Sequence, residues 1–149
     1  KINNKNLRYK VPHSFSKDVL GEKIINITRR SKYLIFHFST KVLLVHLGMS
    51  GKLILMRSDN NKMFKTSFYY NLNIIQKHNH ILFKLNNGFV LIYNDVRRFG
   101  FFKLYKTSQL NKIKFLSKLG IEPLSKKLDI KFFIKFVKNK KKNIKNLLM

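Results

Sequence analysis

The sequence predicts a mainly β fold with a small helical part towards its C-terminal end. Three observations predict it: seven short apolar or alternating runs in the first two thirds, turn residues between several of them, and helical spacing after Tyr105. Residues 15–20 read as a short helix stopped at Gly21, with Ser14 or Ser16 placed to cap it. The strand-like runs cover 23–28, 33–38, 42–47, 52–56, 80–85, 89–93 and 101–105, all rich in Ile, Phe, Tyr and Leu. Ser39-Thr40, Gly48 with Gly51, Asn86-Asn87-Gly88 and Gly100 mark turns. Seven strands at this spacing predict a β-sandwich or barrel. Residues 57–76 read as a long polar loop carrying Phe68-Tyr69-Tyr70. Residues 108–119 carry an apolar stripe at 110, 113, 115, 116 and 119 that ends at Gly120, which predicts a helix. Residues 130–140 predict a second, with Phe132, Phe133, Ile134, Phe136 and Val137, and Asn143 is placed to cap a third. One turn of helix is not stable alone, so the chain reads as a piece of something longer.

Composition narrows the function. The chain has 149 residues, 32 basic side chains, 6 acidic ones and a formal charge of +26. Such a charge repels itself unless a polyanion neutralises it, so nucleic acid is the expected partner, with an anionic membrane surface second. An A+T-rich genome would supply many of the lysines, so the six arginines (8, 29, 30, 57, 97 and 98) carry more weight. With 44% hydrophobic residues the chain can bury a core. No cysteine is present, which excludes disulfides and thiolate metal sites within these residues. No apolar run approaches the ~20 residues of a membrane-spanning helix, and the first ten residues have no signal core, so the expected location is the cytoplasm.

Four clusters can carry chemistry. Arg29-Arg30-Ser31-Lys32 crowds three cations before a strand; lysine gives up a proton more readily than arginine, so Lys32 can bind phosphate or move a proton. A solvated basic turn is the other reading. His46-Leu47-Gly48-Met49-Ser50-Gly51 brackets Met49 at a tip, a wedge for a base stack or a side chain folded back on the core, with His46 a buried strand histidine. Lys77-His78-Asn79-His80 puts two imidazoles on one strand face, but no third ligand stands near, so no metal is assigned and His78 is read as a phosphate or sugar contact. In Asn94-Asp95-Val96-Arg97-Arg98-Phe99-Gly100, Asp95 is expected to orient one guanidinium while the other, with Phe99 before a flexible glycine, meets a base; a structural Asp–Arg pair is the alternative. The lysine run 138–142 is non-specific.

Taken in order, RRSKYL (29–34), HLGMSG (46–51), KHNH (77–80), NDVRRFG (94–100) and LGIEPL (119–124) resemble the formamidopyrimidine-DNA glycosylase family, in its branch acting on oxidised purines. The resemblance implies a β-sandwich over residues 1–106 and the opening helices of a helix–two-turn–helix DNA-binding domain over 107–149. It implies a monomeric, bacterial-type base-excision repair enzyme. Such an enzyme flips the damaged nucleotide out of the stack, removes 8-oxoguanine and formamidopyrimidines, and cuts the strand by β- and δ-elimination. Its partner is double-stranded DNA holding oxidised purines or abasic sites. Lys32 matches the family's proton donor in β-elimination. Met49, Arg97 and Phe99 match the residues that fill the void left by flipping, with Arg97 on the orphaned cytosine. His78, Arg97 and Lys140 match DNA-binding positions.

The family's nucleophile is an N-terminal proline amine followed by glutamate. No Pro-Glu stands near Lys1, so these residues are expected not to excise bases alone. No cofactor is expected here, and the one structural zinc belongs to a four-cysteine finger absent from this sequence. Val96 and Ile121 replace prolines and Asn79 an aspartate; the first is expected to loosen the loop aiming Arg97, the last to remove an anionic partner from a histidine. A non-catalytic nucleic-acid-binding relic of the scaffold is the alternative function, and a basic membrane- or ribosome-associated protein a third.

Overall fold

A computed structural model describes residues 1–57, 59 and 74–148; the 57–76 loop read from the sequence, with Phe68-Tyr69-Tyr70, falls almost wholly outside them. A short helix α1 (Phe15–Val19) precedes seven strands: β1 (Asn26–Arg30), β2 (Tyr33–His37), β3 (Lys41–His46), β4 (Lys52–Arg57), β5 (Asn79–Lys84), β6 (Phe89–Asn94) and β7 (Phe101–Lys106). They form two antiparallel sheets, ordered β1-β2-β3-β7 and β4-β6-β5. Ile2 bridges Ile81, so the N-terminal residues extend the second sheet along β5. Short helices α2 (Lys114–Ser117), α3 (Ile130–Val137) and α4 (Ile144–Leu148) follow.

Alternation along the strands decides what each sheet buries. Phe36, Leu43, Val45 and Phe102 of the first sheet meet Ile81 and Tyr93 of the second in the inner core, which Leu7, Val11 and Phe15 close at one side. This is the face-to-face packing of a β-sandwich, as the sequence predicts. The opposite side chains of the first sheet, Tyr33, Ile35, Val42, Leu44 and Phe101, are also buried, under Leu110, Ile113, Phe115, Leu116 and Leu119. Strand β3 is apolar without a break from Val42 to Val45 because both of its faces are covered.

Three element expectations need correction. The first strand runs over Asn26–Arg30 rather than 23–28. A two-residue turn, Ser31-Lys32, pairs Arg30 with Tyr33 and carries the ladder to the arginines. An edge strand accommodates such charges because one side faces water. The predicted 108–119 helix is a 3-10 turn (Thr107–Lys112) followed by α2, broken at Ile113 with ψ 115°. Ile113 is 3% exposed; seating it on the sheet outweighs helix continuity, and Thr107, Ser108 and Asn111 favour helix weakly. Ser14 does stand before α1, but in helical geometry and without a side-chain cap. By contrast Asn143 accepts the amide of Asn146 at 3.0 Å at the start of α4, as expected.

Candidate nucleic-acid interface

Two loops meet at one end of the sandwich. Gly48, at φ 74°, lets the chain after β3 turn, and a Cβ there would stand 2.7 Å from Gly100 N and Phe99 C. The 46–51 and 94–100 loops therefore abut. Gly100 is buried, and a Cβ on it would run into the Tyr93 hydroxyl and the His46 carbonyl. Its role is close approach, not the flexibility expected from the sequence. At the tips, Met49 is 74% exposed and Phe99 43%, so Met49 is not folded back on the core. The Arg97 guanidinium lies 4.5 Å from the centre of the Phe99 ring. Arg97, Arg98 and Phe99 line an open cleft of about 600 Å³ with Asn6 and Arg8. The nearby non-glycine positive φ, 57° at Arg98, is a local strain of the kind found at functional loops.

Asp95 organises this end in a way the sequence reading did not anticipate. It is wholly buried. Instead of orienting a guanidinium, it accepts from Tyr93 Oη at 2.6 Å, Ser50 Oγ at 2.5 Å, Gly100 N at 3.1 Å and Arg97 N at 3.2 Å. A carboxylate with four local donors needs no arginine to satisfy it. Burial pushes its carboxyl up, but the bonds from Ser50, Tyr93, Gly100 and Arg97 outweigh that and hold it below the usual value. The Tyr93 hydroxyl is raised well above its usual range by burial and by its bond to Asp95, so it stays a donor. The backbone around Val96 is thereby clamped from both sides of the loop.

His46 is buried, stacked on Phe101 with ring centres 5.4 Å apart, and accepts from Gly48 N at 3.0 Å. Burial, then the charges of Lys32 and Arg8, hold its imidazole below the usual value. It is thus a neutral structural acceptor, and Lys32 and Arg8 act on the same end of the sandwich. Lys32 is exposed at the β1–β2 turn, where Ser31 supplies the positive φ of 52° that tight hairpin turns require.

The cation crowding expected at this turn is relieved by Glu122. Its Oε1 accepts from Arg30 at 2.6 Å and from Ser31 N at 2.5 Å, and its Oε2 lies 3.6 Å from Arg29. Arg30 also donates to the Gly120 carbonyl. The LGIEPL segment therefore pins the turn that presents Lys32, a role sequence reasoning missed; the signal was an acid in a chain with only six. Replacing Glu122 by Gln is expected to speed amide exchange at Ser31 and Lys32 several-fold while leaving β3 protected, as hydrogen-exchange NMR would show.

The two histidines do not share a strand face. His78 ends a 3-10 turn (Gln76–His78), and the β5–β6 register shifts between Asn79 and Ile81. His80 is buried with Nε2 2.7 Å from the Asp95 carbonyl oxygen, while His78 is half-buried and its carbonyl accepts from Asp95 N at 3.1 Å. Asn79 is not placed beside a histidine as an acceptor; its Oδ1 takes the Asn94 side-chain amide at 2.7 Å. Among the described residues no group of three or more His, Cys, Asp or Glu side chains could hold a metal. Lys140 is exposed just past α3, and among the described residues no hydrogen bond or ion pair links it to these loops. The structure thus gathers Lys32, Met49, Arg97 and Phe99 at one end, joins His78 to it through Asp95, and leaves Lys140 on the C-terminal segment. No helix among the described residues is long and apolar enough to cross a membrane.

Residues 1–102 match the formamidopyrimidine-DNA glycosylase N-terminal domain. The formamidopyrimidine-DNA glycosylase of Bartonella tribocorum is 40% identical over 153 residues, covering 99% of this chain and 51% of that protein. The Lactococcus lactis Fpg crystallised with abasic-site DNA shares 34% identity at a TM-score of 0.71, over 89% of this chain and 45% of that one. The same enzyme with DNA containing Fapy-dG gives 34% and 0.69, over 89% and 45%. This chain spans about half the length of the relatives it matches. The motif order, the two-sheet sandwich with its paired tip loops, and these likenesses lead to one conclusion: the chain belongs to the formamidopyrimidine-DNA glycosylase family.

Proposed function

We infer that these residues are the lesion-recognising part of a base-excision DNA glycosylase acting on oxidised purines such as 8-oxoguanine and formamidopyrimidines, with abasic-site lyase activity in the whole protein. The observation that carries this reading is the pair of abutting loops that present Met49, Arg97 and Phe99 to solvent beside an arginine-lined cleft. A glycosidic bond inside a duplex is out of reach, so the nucleotide must leave the stack, at a cost of a few kcal/mol. Met49 and Phe99 offset that cost by filling the void, and Arg97 supplies donors to the N3 and O2 acceptors of the orphaned cytosine.

Lys32 serves as proton donor in β-elimination, from a turn held by Glu122. His78 and Lys140 hold backbone phosphate. Residues 1–106 form the β-sandwich unit, and 107–149 begin a helical DNA-binding unit that acts with it in one monomer. The amine that would attack C1′ is not supplied by a Pro-Glu pair among these residues. The family's zinc has no ligand set here, since the chain lacks cysteine, and no step is routed through it.

Two measurements test the reading. A duplex with an abasic-site analogue opposite cytosine should bind at least about tenfold tighter than undamaged duplex at matched salt. Equal binding would favour the non-catalytic, nucleic-acid-binding relic. Borohydride with abasic duplex should trap no covalent adduct on the 149-residue chain; an adduct would reveal another competent amine.

A further inference from the structure

The six arginines fall into two groups. Arg29 and Arg30 pair with Glu122, and Arg57 with Asp59. Arg8, Arg97 and Arg98 are exposed and converge with Phe99 on the open cleft. The other acids are engaged or placed elsewhere: Asp95 is buried among its four donors, Glu22 pairs with Lys41, Asp129 caps α3 and Asp18 lies in α1. Among the described residues, no carboxylate therefore pairs with the three cleft arginines. Guanidiniums gathered without a counter-charge repel one another, and a bound anion relieves that repulsion.

Arg8 lies outside all five motifs and reaches the cleft from a different part of the chain. Its neighbours Leu7 and Val11 are buried, at 8% and 0% exposure, and both amides return to the Lys5 carbonyl, at 3.1 and 2.9 Å. Its own amide donates to the Gly100 carbonyl at 3.2 Å. The Arg8 backbone is thus fastened to the loop that carries Arg97 and Phe99, while its guanidinium stands 6.0 Å from the half-exposed Tyr9 ring.

We propose that Arg8 is a third arm of this cleft and binds a backbone phosphate of the duplex beside the void that Arg97 and Phe99 fill. The proposal deepens, and rests on, the DNA-glycosylase reading. Phosphate rather than base is its target because Arg97 and Phe99 occupy the void, and a permanently charged planar fork matches phosphate oxygens two at a time. A phosphate contact adds affinity without sequence or lesion preference.

The test is fluorescence anisotropy of the 149-residue chain on two labelled duplexes, one undamaged and one with an abasic-site analogue opposite cytosine. Salt is varied between about 50 and 200 mM. Arg8→Ala should weaken both duplexes by the same factor and reduce the slope of log K against log salt by about 1, with the preference ratio intact. Arg8→Lys should restore the slope. If the alanine variant melts earlier than the parent, Arg8→Gln, which keeps a long polar stem, takes its place. An unchanged slope, or a loss confined to the abasic duplex, would overturn the proposal. A parent with no lesion preference would overturn the glycosylase reading while the slope still decides for or against Arg8. A parent that binds neither duplex would overturn both.

Discussion

Asp95→Ala is expected to destabilise the fold by about 3–5 kcal/mol, read as a lower urea midpoint at pH 7. The residue is wholly buried and accepts from Tyr93, Ser50, Gly100 and Arg97. Alanine leaves the Gly100 amide without its carboxylate acceptor and the Tyr93 hydroxyl with only the Leu47 carbonyl at 3.4 Å, at roughly 1–3 kcal/mol for each buried donor that loses its partner. Asp95→Asn is the milder variant, because one amide oxygen still accepts while its NH2 faces donors. The acid side carries a separate signature. A carboxyl held below its unfolded value contributes stability above that value, near pH 4, and loses it as pH falls through the folded value. The parent should therefore be steady from neutrality to about pH 5 and weaken below about pH 4. Glu122, held low by Arg30 and Ser31, shares that loss. Asp95→Asn should flatten only part of the acid limb; a limb unchanged from the parent's would refute the clamp.

Arg97→Ala is expected to erase most of the preference for cytosine opposite the abasic site, a change of about 1–3 kcal/mol or roughly 5- to 150-fold. The contact is directional, so Arg97→Lys should recover little of it. Phe99→Ala should instead weaken binding whatever the opposite base, by about 1–3 kcal/mol, because a ring fills space and stacks without reading an edge. The guanidinium lies 4.5 Å over that ring, so the double variant should lose less than the sum of the singles. Anisotropy competition with cytosine or adenine opposite the site checks all three. Equal losses for both opposite bases in Arg97→Ala would show that it contributes charge alone.

Much of this end of the molecule was legible in the residue order. The strand runs 33–38, 42–47 and 101–105 are found within a residue or two, because alternating apolar side chains leave one register that buries them. The glycines around Met49 announced a tip, and the exposed Met49 is that tip. The sequence points to a first strand three residues too early because Ile24, Ile25 and Ile27 look like core; all three are exposed, and the ladder runs on through arginine. The apolar stripe over 108–119 does not become one helix because it records burial against a sheet, which Ile113 achieves in extended backbone.

Asp95 and Glu122 show where a one-dimensional reading stops. Asp95 beside Arg97 and Arg98 suggests an ion pair, and only folding shows its carboxylate turned inward to Tyr93 and Ser50. Glu122 reaches the β1–β2 turn across ninety-one positions of chain, a distance no local pattern spans. By itself the sequence determined the sheet-forming runs, the excess of positive charge and the side chains that tip loops would offer, because periodicity and charge act locally. The tertiary structure alone decided which arginines are neutralised and which, among the described residues, line a cleft with no carboxylate partner. That choice depends on where six carboxylates fall in space, and burial and chain crossing set it.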